Sequence, residues 1–191
     1  MDGRCARSTV LAAVSLVLAG SVAACGGGSD TQPNQPVTVT TTETVDEFAA
    51  RDRTPDPGAV GIGLTSITLA HTNSADQVTF EFTGASIPGW AVHYVNQPIQ
   101  NGTRAAFPVT GESVIEVLIR EAANPFGSGA PAYSGPQVVT DAGTVAVGEV
   151  RYASQVRGVT QAFIGLVTPQ RKFRVTGLTN PTRVVVEIDH R

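Results

Sequence analysis

Few side chains in this sequence carry nucleophilic, acid–base or metal-ligating chemistry, and their spacing limits what they can do. Cysteine occurs at Cys5 and Cys25, and histidine at His71, His93 and His190. Cys25 lies between Val22-Ala23-Ala24 and Gly26-Gly27-Gly28. Its thiolate is a good nucleophile toward an alkyl donor, and small flanking residues let a processing enzyme reach the backbone. The histidines have no zinc-site spacing. They read as exposed residues at strand ends or on a strand face. Gly84-Ala85-Ser86-Ile87-Pro88 misses the nucleophile elbow at its last residue. Gly61-Ile62-Gly63 precedes a strand rather than a helix, so it is no phosphate cradle. Asp189 and His190 are neighbours on a strand and therefore point to opposite faces. No catalytic set, metal site or cofactor motif emerges, and the expectation is a non-enzyme.

Binding chemistry is better represented. Arg171, Lys172 and Arg174 form the one dense basic cluster, at a turn and on the outward face of the following strand. Such a face suits anionic polymers or phospholipid headgroups. Phe126 and Tyr133 lie in a Gly/Pro/Ala-rich loop over residues 121–136, where aromatic rings could stack on sugars.

These residues are set in three segments. Residues 1–24 carry basic Arg4 and Arg7, then an apolar stretch over residues 10–19. That stretch is short of the roughly 20 residues a membrane span needs and fits a signal peptide. Its end, Val22-Ala23-Ala24-Cys25, resembles the bacterial lipobox. The resemblance implies cleavage before Cys25, thioether lipidation of its sulfur, and anchoring at the outer face of the cell membrane. Two or three acyl chains, at about 0.8 kcal/mol per buried methylene, hold a protein firmly. With Cys5 removed and Cys25 lipidated, no disulfide is available to the mature chain.

Residues 25–59 are rich in Thr, Pro, Gln and Asp and read as a disordered acidic tether, with at most a brief helix over residues 43–53. Between residues 26 and 60, six acids face two bases; from residue 61 onward nine face nine. The neutral remainder argues against nucleic acid, which requires a basic field.

Residues 60–191 repeat short strand patterns between turn signals. In residues 76–82, Val78, Phe80 and Phe82 alternate with polar residues, and Trp90, Val92 and Tyr94 share one side of the returning strand. Residues 60–71 change phase near Thr65-Ser66, which predicts a bulge. Residues 113–120 are apolar on both faces and so belong at the centre of a sheet. Residues 97–111, containing Pro98 and Pro108, read as loop or weak edge. Further strands are expected over residues 144–152, 159–167, 172–178 and 183–190, with Phe173, Val184, Val186 and Ile188 inward. Such regular strands predict an all-β fold, a β-sandwich.

The order of these motifs adds a resemblance. Val78-Thr79-Phe80-Glu81-Phe82, a Gly/Pro turn, Trp90-Ala91-Val92-His93-Tyr94-Val95, then Gly158-Val159, Phe173-Arg174-Val175 and Asn180-Pro181-Thr182-Arg183-Val184 follow one another. This series is similar to the AMIN-like domain of actinobacterial secreted proteins and lipoproteins. The resemblance implies a β-sandwich of the cell envelope that binds or adapts, with peptidoglycan or another wall polymer as candidate ligand. The alternatives are a carrier of a small ligand or lipid in an inter-sheet cavity, or an enzyme of unrecognised type. Lipid anchoring has a direct consequence: Cys25→Ala is expected to move the protein out of the detergent phase, measured by detergent phase partitioning. Unchanged partitioning would rule out the anchor.

Overall fold

The computed structural model describes residues 48–59, 61–120 and 132–191. Cys25 and Phe126 lie outside these residues, as does the first part of the tether. Among the described residues, ten strands form two antiparallel sheets: β1 (Arg51–Arg53), β2 (Leu64–His71), β3 (Ala75–Phe82), β4 (Gly89–Val95), β5 (Ser113–Arg120), β6 (Val138–Val139), β7 (Val147–Val156), β8 (Val159–Leu166), β9 (Phe173–Leu178) and β10 (Thr182–Asp189). The larger sheet has the order β1-β4-β5-β8-β7-β6, the smaller β2-β3-β10-β9. The all-β sandwich expected from the alternation is what the chain forms.

Alternation sets the inner faces. Val78, Phe80 and Phe82 of β3, Ile115, Val117 and Ile119 of β5, and Val184, Val186 and Ile188 of β10 are all buried in one core with Trp90, Ile164 and Phe173. The bulge expected near Thr65 is present, as a register shift between Leu64 and Ser66 in the β2–β3 pairing. It brings Ile67 and Leu69 onto the core face. The central position expected for residues 113–120 is also seen, since β5 pairs with β4 on one side and β8 on the other.

β5 is apolar on both faces because the larger sheet is covered twice. Residues 97–111 fold back over its outer face, stacking Phe107 on Phe163 with ring centroids 5.5 Å apart. Val114, Ala153 and Phe163 form a small second core beneath this loop. Gly165 is required there, because a Cβ would collide with the Thr110 carbonyl. The buried Gln161 amide pins the loop. Its Nε2 donates to the Ile99 carbonyl at 2.9 Å and to Glu116 at 2.5 Å, while its Oε1 accepts from the Asn101 amide at 2.7 Å and Ser154 Oγ at 3.2 Å. All four positions of the amide are therefore used.

The folded unit begins earlier than the composition suggested. Within the segment read as tether, Arg51–Arg53 pairs with β4 as an edge strand and is not helical. Phe48 packs edge-on to Tyr94, and the Arg53 guanidinium lies 5.4 Å from the Trp90 ring centroid. Long apolar stems and ring faces recruit this polar stretch, which has no alternating pattern of its own.

Phe80 is fully buried at the middle of β3. Phe80→Ala is expected to destabilise the fold by about 3–5 kcal/mol in urea titration. A loss under about 1 kcal/mol is what a solvent-facing position would give.

Candidate functional site

Two places in the fold concentrate chemistry. The first is at one end of the sandwich, where three neighbouring strands run out of apolar residues together. The core-facing rows are Ile67–Leu69 on β2, Phe80–Val78 on β3 and Val186–Ile188 on β10. The next residue of each row is His71, Asp76 and His190 respectively. His71 and Asp76 are direct register partners. His190 follows β10, held by its amide on the Ser74 carbonyl at 3.0 Å.

Asp76 has no exposed surface. Its Oδ2 accepts from the successive amides of Val145, Ala146 and Val147 at 2.9, 2.7 and 2.9 Å. Its Oδ1 lies 3.1 Å from His71 Nδ1 and 2.9 Å from His190 Nε2. The two imidazoles stack, with centroids 5.0 Å apart and planes 12° from parallel. Burial by itself would raise the Asp76 pKa. The Val147 amide, His190, the Ala146 amide and His71 more than offset this and hold it at about 2.

The histidines thus differ from their expected isolation. His71 and His190 converge, whereas His93 pairs across the sheet with Glu116 at 3.1 Å. Asp189 does not reach His190; it faces Arg174, at 3.4 Å.

The second place is a cleft of about 880 Å³ on the larger sheet, lined by Ile99, Leu118, Val156, Arg104, Arg120 and Arg157 among others. The pinned loop supplies Arg104, β5 supplies Arg120, and the β7–β8 turn supplies Arg157. Among the described residues, no acidic one lines it. Arg104 and Arg157 both sit at positive φ, 58° and 52°. Non-glycine residues seldom adopt this backbone, and such positions cluster at functional sites. Arg120 donates to the Trp90 carbonyl at 3.2 Å. Three cationic forks around apolar side chains can take a ligand with carboxylate or phosphate groups.

The residues expected to bind are distributed differently. Tyr133 is a correction: it is buried, its ring 4.8 Å from that of Tyr152, and its hydroxyl donates to the Pro136 carbonyl at 3.3 Å. It fills the core edge and has no ring face open for stacking on a sugar. Arg171 is half-buried and serves as a clamp, since its amide donates to the Tyr94 hydroxyl at 2.8 Å and its carbonyl accepts from it at 2.7 Å. Arg174 is exposed and faces Glu187 and Asp189, each at 3.4 Å. Lys172 and Arg174 line a smaller cleft of about 550 Å³ with His190, Arg191 and Asp189.

The AMIN-like domain family matches residues 62–190. The chain belongs to that family. No curated protein and no solved structure matches it. Membership associates this AMIN-like domain with the cell envelope and with wall-related binding, a role that is generally non-catalytic. The family match covers both the His71–Asp76–His190 cluster and the arginine cleft.

The depressed Asp76 pKa fixes the sign of an acid effect. A folded-state pKa below the unfolded value of 3.8 contributes stability above that value and loses it as pH falls through about 2. In chelator-containing buffer, stability is expected to drop between about pH 4 and pH 2. Asp76→Asn should flatten the profile in that window, as read by urea midpoints. A slope unchanged in the variant would assign the acid loss to other carboxylates.

Proposed function

We propose that this AMIN-like domain is a non-catalytic binding module of the bacterial cell envelope, tethered to the outer face of the membrane through lipidated Cys25. Its ligand is an anionic wall polymer, a glycan bearing carboxylate or phosphate groups, and its binding surface is the cleft of Arg104, Arg120 and Arg157. The observation that carries this reading is the convergence of three arginines from separate elements on one open cleft that no carboxylate lines among the described residues. The lipobox and family membership support the location. The space between the sheets is filled by Phe80, Ile115, Ile164, Phe173 and Ile188, which favours a surface binder over a carrier.

The cluster of Arg171, Lys172 and Arg174 remains a second candidate face, but carboxylates already stand beside Arg174. Exposed cation–anion attraction is screened within about 8 Å at physiological ionic strength, so binding must weaken with salt. The double variant Arg104→Ala/Arg157→Ala is expected to lose retention on purified anionic wall polymer and keep its melting temperature. The double variant Lys172→Ala/Arg174→Ala should retain most of it. Loss only in the second variant would move the site to the smaller cleft. Retention by both variants at about 0.5 M salt, roughly three times physiological, would overturn the electrostatic reading.

A further inference from the structure

We propose that His71, Asp76 and His190 form a binding site for a divalent transition-metal ion of the zinc class. Each residue offers one ligand atom, and the three atoms lie within 4.8 Å of one another. Two imidazole nitrogens and a carboxylate oxygen are a donor set suited to zinc and its neighbours rather than to calcium or magnesium. His71 Nδ1 and His190 Nε2 already converge on the same carboxylate oxygen, at 3.1 and 2.9 Å. Tetrahedral ligands about 2.0–2.1 Å from zinc stand roughly 3.3–3.5 Å apart. Widening the two nitrogen–Oδ1 separations by a few tenths of an ångström would bring them to that spacing.

The surroundings favour a resident cation for two reasons. Asp76 is a fully buried carboxylate whose partners among the described residues are three backbone amides and the two imidazoles. Those amides on Oδ2 fix the carboxylate and leave Oδ1 as the ligand atom, the outer support that metal-binding carboxylates normally have. Access comes from the histidine side, since the His71 side chain is 39% exposed and His190 lines an open cleft. The charged groups around that cleft are Lys172, Arg174, Asp189 and Arg191, and Arg174 is matched by Glu187 and Asp189.

Proton balance is simple. Asp76 supplies an ionised Oδ1. Any proton on His71 Nδ1 or His190 Nε2 passes to the other nitrogen of its ring, or to water where that nitrogen already holds one, and the freed lone pairs bind the ion with water completing its shell. The inference does not depend on the arginine cleft.

The test uses the full-length protein, stripped with chelator and titrated with zinc chloride, followed by calorimetry and thermal unfolding. One equivalent is expected to bind and to raise the melting temperature. His71→Ala and His190→Ala should each weaken binding by about tenfold or more, a loss of at least about 1.4 kcal/mol. His93→Ala should leave it unchanged. Cobalt absorption distinguishes the site from Cys5 or Cys25, because this donor set gives no thiolate charge-transfer band. The histidine variants keep the amide bonds to Asp76, so they remain informative where Asp76→Asn fails to fold. No zinc-dependent shift, or an equal shift in the His71→Ala/His190→Ala double variant, would overturn the proposal and leave the imidazoles as hydrogen-bond donors only.

Discussion

The arrangement of the two sheets turns on one buried charge. Asp76 belongs to β3 of the smaller sheet, yet its Oδ2 gathers three consecutive amides at the start of β7 in the larger one. Removing a carboxylate from water costs several kcal/mol unless hydrogen bonds replace the lost hydration. Five donors do so here, three from one sheet and its approach and two from imidazoles of the other. The requirement runs in both directions. The carboxylate is tolerable only if β7 begins where it does, and the three amides would be orphaned without an acceptor. A local electrostatic demand therefore fixes where one sheet starts against the other, which apolar packing alone, being non-directional, would leave loosely specified.

The second constraint is the covered outer face of the larger sheet. A sandwich sheet ordinarily turns one face to water, and its central strands then alternate. β8 does not alternate and is buried nearly throughout, because the loop over residues 97–111 closes over it and Gln161 satisfies the loop's backbone from below. The wall of the arginine cleft is thus built on a pinned loop rather than a free one. Arg104 and Arg157 are presented from tight turns whose backbones are set by their surroundings. Pre-placed cations lose less freedom on meeting a ligand than surface arginines on flexible segments.

Much of this was legible in the sequence where the period-two pattern was clean. β3, β5, β9 and β10 were read nearly to their ends, and the slip at Thr65-Ser66 showed as a bulge, because a one-residue change of phase moves side chains to the other face. The failures have physical causes. Arg51–Arg53 has no alternation and becomes a strand only because β4 offers it an unpaired edge. Tyr133 sits in a Gly/Pro-rich stretch that resembles exposed loop, and only the neighbouring Tyr152 ring reveals it as core. Arg104, Arg120 and Arg157 are too far apart in the chain to register as a cluster. The histidine pair was within reach: extending the inward rows by one step, past Leu69, Val78 and Ile188, lands on His71, Asp76 and His190.

The edge strand β1 also has a mechanical meaning. Chain on the N-terminal side of the fold enters through Arg51–Arg53, so tension from that direction loads β1 before it loads the sandwich. Resistance there includes three register pairs with β4, the packing of Phe48 on Tyr94, Arg51 on Phe173 and Arg53 on Trp90, and the Arg53 guanidinium, which donates to the Ile87 and Pro88 carbonyls and pairs with Asp56. These contacts are partly open to water, whereas those of the core are buried. Peeling β1 away under a steady pull would free several residues while leaving the contacts of the buried core in place. The short strand is where a pull from the N-terminal side would yield first.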